Sequence, residues 1–201
     1  MKNRHCNEMK RSSLALILVL VVLTSTYRVV SAIWLTSLPN FSPVMALALC
    51  CGLVLPGVWA AAIPLGCLFV TDLLLNAHFG QPLFGAGTLA IYACYLFAIG
   101  SGALLRNRGW KPVMGTVLAN AILFYLVTNT LAWSGNLHYP QNLAGWIQSL
   151  TVGRPGFPPT WTFFRNSLLG DLMFAGGFLG LLHGMKNRGK SPAPANQERA
   201  L

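Results

Sequence analysis

Between Glu8 and Glu198 the chain carries only two acidic side chains, Asp72 and Asp171, and each lies within or at the rim of a long apolar stretch. A carboxylate in hydrocarbon costs several kcal/mol unless it is paired or faces a wet cavity, so such positions mark a bundle interior or a solute site. Arg28, Asn76, Asn120, Asn129, Arg165 and Asn166 occur in similar surroundings. These side chains suit reversible capture of a polar solute, with guanidinium and carboxylate groups for ion pairing and amides for hydrogen bonds in both directions. Covalent chemistry needs a base beside a nucleophile. His78, His138 and His183 are widely spread, no Ser or Cys has a base next to it in sequence, and no Walker-type phosphate loop occurs. The pattern therefore predicts a protein that is not an enzyme, hydrolyses no ATP itself and holds no catalytic residue, cofactor or metal. Cys50, Cys51, Cys67 and Cys94 fall in apolar runs, where thiols read as small packing residues, and Cys6 lies in the basic start of the chain.

The elements that must position these groups follow from hydropathy. With 54% hydrophobic and 9% charged residues and a mean hydropathy of +0.56, the chain is too apolar for a soluble domain of 201 residues. Runs of about 20 apolar residues cross roughly 30 Å of hydrocarbon. Spans are expected at Ser13 to about Ala32, Pro43 to about Leu55, Val58 to about Leu75, Leu83 to Leu105, Pro112 to about Trp133 and Trp161 to about His183. The fold class expected is all-α: a polytopic bundle of six transmembrane helices, the second one short. Residues 1–11 form a cytoplasmic basic tail, 12–185 the transmembrane domain and 186–201 a disordered cytoplasmic tail.

A net charge of +10 could indicate nucleic acid, but the cations form no stripe. Lys2, Arg4, Lys10 and Arg11 precede the first span, Arg106, Arg108 and Lys111 separate the fourth from the fifth, and Lys186, Arg188, Lys190 and Arg199 follow the last. Six crossings place all three segments on one side, which the positive-inside rule makes cytoplasmic. The expected location is a bacterial inner membrane with both termini inside, and the partner is the lipid bilayer rather than nucleic acid. The start of the chain also resembles a secretory signal, with Val30-Ser31-Ala32 as a cleavage site; Arg28 just upstream and the even number of crossings speak against it.

This topology sets depths. Arg28, Asn40, Asp72, Asn76, Asn129, Arg165 and Asn166 fall in the outer half, Asp171 about two turns deeper and Asn120 deeper still. Arg165 and Asp171, six residues apart, point roughly 240° apart round a helix. Each needs a partner elsewhere: Arg28 with either Asp72 or Asp171, and Arg165 with the remaining carboxylate or the solute. Such contacts can also serve only to fasten a bundle. Leu55-Pro56-Gly57 makes the second and third spans a hairpin, and Ser42 or Asn40 is placed to cap the second, with Pro43 in its first turn. The chain from Thr36 to Ser42 is expected to dip toward the interior. Thr71-Asp72-Leu73-Leu74 faintly echoes Gly170-Asp171-Leu172-Met173, as a three-plus-three repeat would.

The longest outer segment, Ser134 to Thr160, contains Leu143, Trp146, Ile147 and Leu150 at helical spacing. It reads as a short amphipathic helix over Gln141 to Leu150, lying in the interface or folded back over the bundle, with irregular chain from Gly153 to Pro159. Trp133, Tyr139, Trp146 and Trp161 flank it as an aromatic belt. Trp146 is the group expected to close over a bound solute, so the full candidate set is Arg28, Asn40, Asp72, Asn76, Asn129, Trp146, Arg165, Asn166 and Asp171.

Several strings together carry a family resemblance: Asn40-Phe41-Ser42-Pro43-Val44, Ile63-Pro64-Leu65, Thr71-Asp72-Leu73-Leu74-Leu75-Asn76, Val127-Thr128-Asn129, Tyr139-Pro140 with Leu143-Ala144-Gly145, and Phe164-Arg165-Asn166-Ser167-Leu168-Leu169-Gly170-Asp171. Over about Arg28 to Leu182 the chain resembles a family of small, uncharacterised bacterial membrane proteins labelled as transport proteins. That family is similar to the substrate-binding S components of energy-coupling factor transporters. The resemblance implies a six-helix bundle that captures a vitamin-like small molecule from outside, and it implies as partners a coupling membrane protein with two ATPases. S components contact that module through Ala-x-x-x-Ala patterns on the first helix. Leu14 to Val30 has none, which leaves open a solitary transporter like those for cobalamin, where Cys67 or Cys94 would be the cobalt-facing thiol. The alternative is a non-transporting scaffold or assembly factor held by buried ion pairs.

Overall fold

In lipid, a segment must satisfy its own backbone hydrogen bonds, and long apolar runs do so as helices. Every regular element is helical among residues 2–34, 40–85 and 87–188, the part of the chain that the computed structural model describes. The elements are α1 (Lys2–Ile33), α2 (Val44–Val54), α3 (Trp59–Phe79), α4 (Thr88–Leu104), α5 (Trp110–Ser134), α6 (Leu143–Leu150) and α7 (Thr160–Arg188). Three stretches, Trp59–Phe79, Trp110–Ser134 and Thr160–Gly184, are long and apolar enough to cross a membrane, and Ile17–Ile33, Val44–Val54 and Thr88–Leu104 are shorter apolar helical segments.

The surface is inverted relative to a soluble protein. Val22, Leu23, Val58, Leu74, Phe97 and Met173 are each more than half exposed, while Asn120 and Asp171 are 2% exposed. Large apolar side chains facing out, with an amide and a carboxylate buried in the packed interior, is the distribution that hydrocarbon solvent selects, and the protein is membrane-embedded.

The elements differ in extent from the expected spans. The basic start of the chain is helical from Lys2, continuous with α1, and α4 begins at Thr88 rather than Leu83. At the other end α7 runs on to Arg188, so residues 186–188 of the expected tail are helical. Residues 189–201 lie outside the described part, as does most of the expected dip from Thr36.

The shortest apolar helix organises the bundle. α2 touches α1, α3, α4, α5 and α7, and every residue from Val44 to Gly52 is buried. A helix that is apolar all round belongs in a core. Two glycines allow its backbone to meet that of α4. A Cβ on Gly52 would lie 2.1 Å from the Ile99 carbonyl oxygen, and one on Gly102 would lie 2.2 Å from that of Leu49. Close crossings of this kind are how membrane helices gain dispersion contact without a hydrophobic drive between them.

Both ends of α2 are held by charged side chains from distant elements. The expected caps, Ser42 and Asn40, do not serve: Pro43 occupies the cap position and no side chain caps the helix locally. Asn40 turns the chain with φ 61°, and Ser42 sits one residue too early to reach the first-turn amides. Asp171 of α7 takes that role, its Oδ1 accepting from the Ala46 N–H at 3.1 Å. At the other end Arg106 donates from Nε to the Gly52 carbonyl at 3.0 Å and from Nη2 to that of Leu55. An acid at the N-terminus and a base at the C-terminus both complement the helix dipole. Asn120, the deep amide, ties α5 to α4 by donating to Ser101 Oγ at 3.1 Å.

Candidate functional site

α5 and α7 each turn one stripe inward at the end of the bundle remote from Arg106. From α5 the stripe is Ala121, Phe124, Tyr125, Thr128 and Asn129; from α7 it is Thr160, Phe163, Phe164, Ser167 and Asp171. Both follow the i, i+3, i+4, i+7 spacing of a single helical face. Arg28 of α1, Asn40 and Ser42 ahead of α2, Met45 of α2 and Ile91 and Tyr95 of α4 complete the wall, and Tyr139, Arg154, Phe157 and Pro158 reach it from the segments flanking α6. They enclose a cavity of about 590 Å³. That volume is in the range of sites for small organic ligands, which pair an apolar, often aromatic lining with a few placed polar groups.

The polar groups differ in how much hydrogen-bonding capacity they retain. Arg28 is anchored on α3: Nη2 donates to Asp72 Oδ1 at 2.6 Å, and Nη1 donates to Thr71 Oγ1 and to the Leu68 carbonyl at 3.4 Å. Both partners of the ion pair are about a fifth exposed, with side chains 21% and 22% accessible. Between the two carboxylates open to Arg28, the structure selects Asp72. Asn129 spends one of its two amide N–H groups on the Tyr125 carbonyl at 2.8 Å, Thr128 donates to the Phe124 carbonyl at 2.8 Å, and Ser167 donates to that of Phe163 at 2.7 Å. Tyr125 donates to the Leu150 carbonyl, which ties α6 to α5, and its ring lies 4.7 Å from that of Phe164. Ser42 Oγ is buried without a partner among the described residues.

Of the residues expected to form a site, Arg28, Asn40, Asn129 and Asp171 line the cavity, and the other five do not. Asp72 pairs with Arg28 without itself reaching the wall. Asn76 is exposed near the end of α3 and donates to the Pro82 carbonyl at 3.4 Å. Arg165 reaches neither a carboxylate among the described residues nor the cavity: it is exposed, lies 5.4 Å over the Trp161 ring, and donates to Asn166 Oδ1 at 3.3 and 3.2 Å. Asn166 is buried at 2% exposure away from the cavity. The angular separation of Arg165 from Asp171 places one outside and the other inside.

The short helix α6 forms where its spacing indicated, over Leu143–Leu150, with Asn142 Oδ1 accepting from the Gly145 N–H at 3.0 Å as its cap. It folds back onto α5 and α7. Trp146 donates to Thr130 Oγ1 at 2.9 Å, so it fastens α6 rather than covering the cavity. The residues at the rim are Tyr139 and the irregular segment beyond α6, where Arg154 lies 5.4 Å from the Phe157 ring. Cys67 and Cys94 are buried away from the cavity, Cys67 within 3.0 Å of Ser25 Oγ. The two carboxylates of the faint repeat do different things, Asp72 holding a guanidinium and Asp171 a backbone amide.

Sequence reasoning by polarity alone missed the aromatic wall and the hydroxyls between its rings. The signal was present as periodicity, because the Phe124-Tyr125-Thr128-Asn129 and Phe163-Phe164-Ser167-Asp171 sets mark one face of each helix by mixing rings with polar groups. No curated protein and no solved structure matches the chain. A family match extends over residues 8–193, nearly the whole length, and the chain belongs to DUF6580, a family of unknown function.

Proposed function

We propose that this protein captures a vitamin-like small molecule at the outer face of a bacterial inner membrane and takes part in its uptake, as a transporter or as a membrane-embedded binding subunit. The observation that carries this reading is the cavity of about 590 Å³, walled by aromatic rings and a few oriented polar groups at the end of the bundle away from the basic segments. In the proposed topology α1, α2, α3, α4, α5 and α7 are the six spans, α6 lies outside, and both termini and the Arg106 segment are cytoplasmic. The cavity then opens to the side from which a scarce nutrient arrives. The resemblance to S components favours the same reading, with a coupling membrane protein and its ATPases as partners or, given the α1 sequence, a solitary mode of action.

The test is a thermal-shift screen of detergent-purified protein against water-soluble vitamins and corrinoids, paired with growth on limiting vitamin. Stabilisation by one solute, abolished when the α5 stripe is blocked by Thr128→Trp, is the expected result. No stabilisation by any solute, together with unchanged growth of the deletion strain, would refute it. A second reading, a scaffold without a solute, is favoured by one observation: Asp72 and Asp171 are both engaged inside the protein. It predicts a protein that works equally well with its cavity filled.

A further inference from the structure

We infer that the cavity takes a solute with a carboxylate or another delocalised anion at one end and an aromatic ring at the other. The inference rests on the proposed capture function and names its substrate class. The cationic and aromatic parts of the wall come from different elements, although α5 and α7 also bring Thr128, Asn129, Ser167 and Asp171. Arg28 enters from α1 and Ser42 from the turn leading into α2, whereas the rings of Phe124, Tyr125, Phe163 and Phe164 come from α5 and α7.

At the polar end, hydrogen-bonding capacity for an acceptor is left over. Arg28 has five N–H groups, and its described bonds run from Nη1 to Leu68 and Thr71 and from Nη2 to Asp72. The Nε–H and the second Nη2–H have no acceptor among the described residues, on a side chain that lines the cavity. Ser42 also lines the cavity, and its Oγ is buried without a partner among the described residues. Met45, also in the wall, belongs to the first turn of α2, whose amides have no intrahelical acceptors and of which Asp171 takes only that of Ala46. A guanidinium fork, a hydroxyl and the positive end of a helix form a donor set, and a carboxylate is the group that accepts from all three.

The lining charges agree with that assignment. Arg28 is balanced by Asp72 behind the wall and Asp171 Oδ1 is occupied by Ala46 N–H, so Arg154 is the lining cation with no carboxylate partner among the described residues. Arg154 is exposed at the rim, where it attracts an incoming anion before Arg28 receives it. The paired rings of Tyr125 and Phe164, 4.7 Å apart, give the apolar part of the solute a face to stack on.

The experiment uses the full chain in detergent, with binding measured by thermal shift and calorimetry. The probes are 2-naphthoate, uncharged 2-naphthamide and cationic 2-naphthylmethylamine, beside nicotinate, nicotinamide, folate, riboflavin and thiamine. Anionic probes are expected to bind at least tenfold more tightly than their uncharged or cationic counterparts. Arg154→Gln, at an exposed position, is expected to weaken anion binding several-fold and to flatten its salt dependence while leaving unliganded stability unchanged. Arg28→Lys, which keeps the charge facing Asp72 but loses the fork, should erase most of the preference. Tighter binding of an uncharged or cationic probe than of its matched anion overturns the substrate class and leaves the capture function standing. Failure of every probe, whatever its charge, in a protein that unfolds cooperatively counts against the capture function itself.

Discussion

Substituting Gly102 by Ala tests whether the α2–α4 crossing places the site. A Cβ at Gly102 would sit 2.2 Å from the Leu49 carbonyl oxygen, 3.1 Å from its carbon and 3.2 Å from the Leu53 nitrogen. Ordinary van der Waals contact begins at 3.4 Å, so the two backbones must separate by 3.4 − 2.2, about 1.2 Å. All three obstructing atoms are main chain, so no rotamer change can relieve the clash. Overpacking of this kind costs about 1–3 kcal/mol, and a rigid obstruction belongs at the upper end. Alanine for glycine inside a helix contributes about 0.5–1 kcal/mol in the opposite direction. Gly100, on the same helix with nothing within 4 Å of its added Cβ, isolates that second effect. Gly100→Ala should therefore stabilise slightly and Gly102→Ala should destabilise, a difference of about 2–3 kcal/mol between two chemically identical changes. Unfolding in mixed micelles of rising SDS fraction, followed by far-ultraviolet circular dichroism, measures it. Because α2 carries Met45, and the turn just before it Ser42, into the cavity wall, solute binding should fall with Gly102→Ala and not with Gly100→Ala. If the two variants unfold within about 0.5 kcal/mol of each other, the close crossing does not hold the bundle and the reasoning is wrong.

Three further outcomes can be measured in the same assay. Asp171→Leu should cost about 1–2 kcal/mol by leaving the Ala46 amide without its cap, whereas Asp171→Asn, whose side-chain oxygen can still accept, should cost much less. Asp72→Leu leaves the Arg28 guanidinium without its carboxylate and should destabilise by about 1–3 kcal/mol, below the range for fully buried pairs because both groups keep some solvent contact. The double change Arg28→Leu with Asp72→Leu should recover a large part of that loss, and a cycle without coupling would deny the pair its structural role. Arg106→Ala removes two bonds to the last carbonyls of α2 and should cost about 1–2 kcal/mol, with faster amide hydrogen exchange near Leu55 as the local readout.

Some of the architecture was readable directly from residues. Leu55-Pro56-Gly57 closed the hairpin between α2 and α3, with Gly57 at φ 57°, because three residues of that composition permit nothing longer. The spacing of Leu143, Trp146, Ile147 and Leu150 located α6. The pairing of Arg28 was narrowed to two carboxylates and no further, since both choices satisfy charge neutrality equally. The cap of α2 was placed on the wrong residue, because the usual signal is a local polar side chain and the actual acceptor lies 125 positions away. Arg106 was read only as one more cytoplasmic cation, although its guanidinium closes the other end of the same helix.

The site divides along the same line. An intramembrane charge is costly wherever the helices pack, so composition alone marked Arg28 and Asp171 as inward-facing and predicted a lipid-solvated helical protein. Phenylalanine and tyrosine carry no such penalty on either side of a helix, and nothing in their identity separates Phe124 and Phe164 in the cavity from Phe97 facing outward. That choice depends on the rotation of each helix about its axis. The rotation is decided jointly by contacts such as Gly52 on Ile99, Gly102 on Leu49, Asp171 on α2 and Tyr125 on Leu150, none of which joins neighbours in sequence. Hydropathy thus determined which segments are helices and what solvent surrounds them, and packing between distant segments determined which of their faces enclose the cavity.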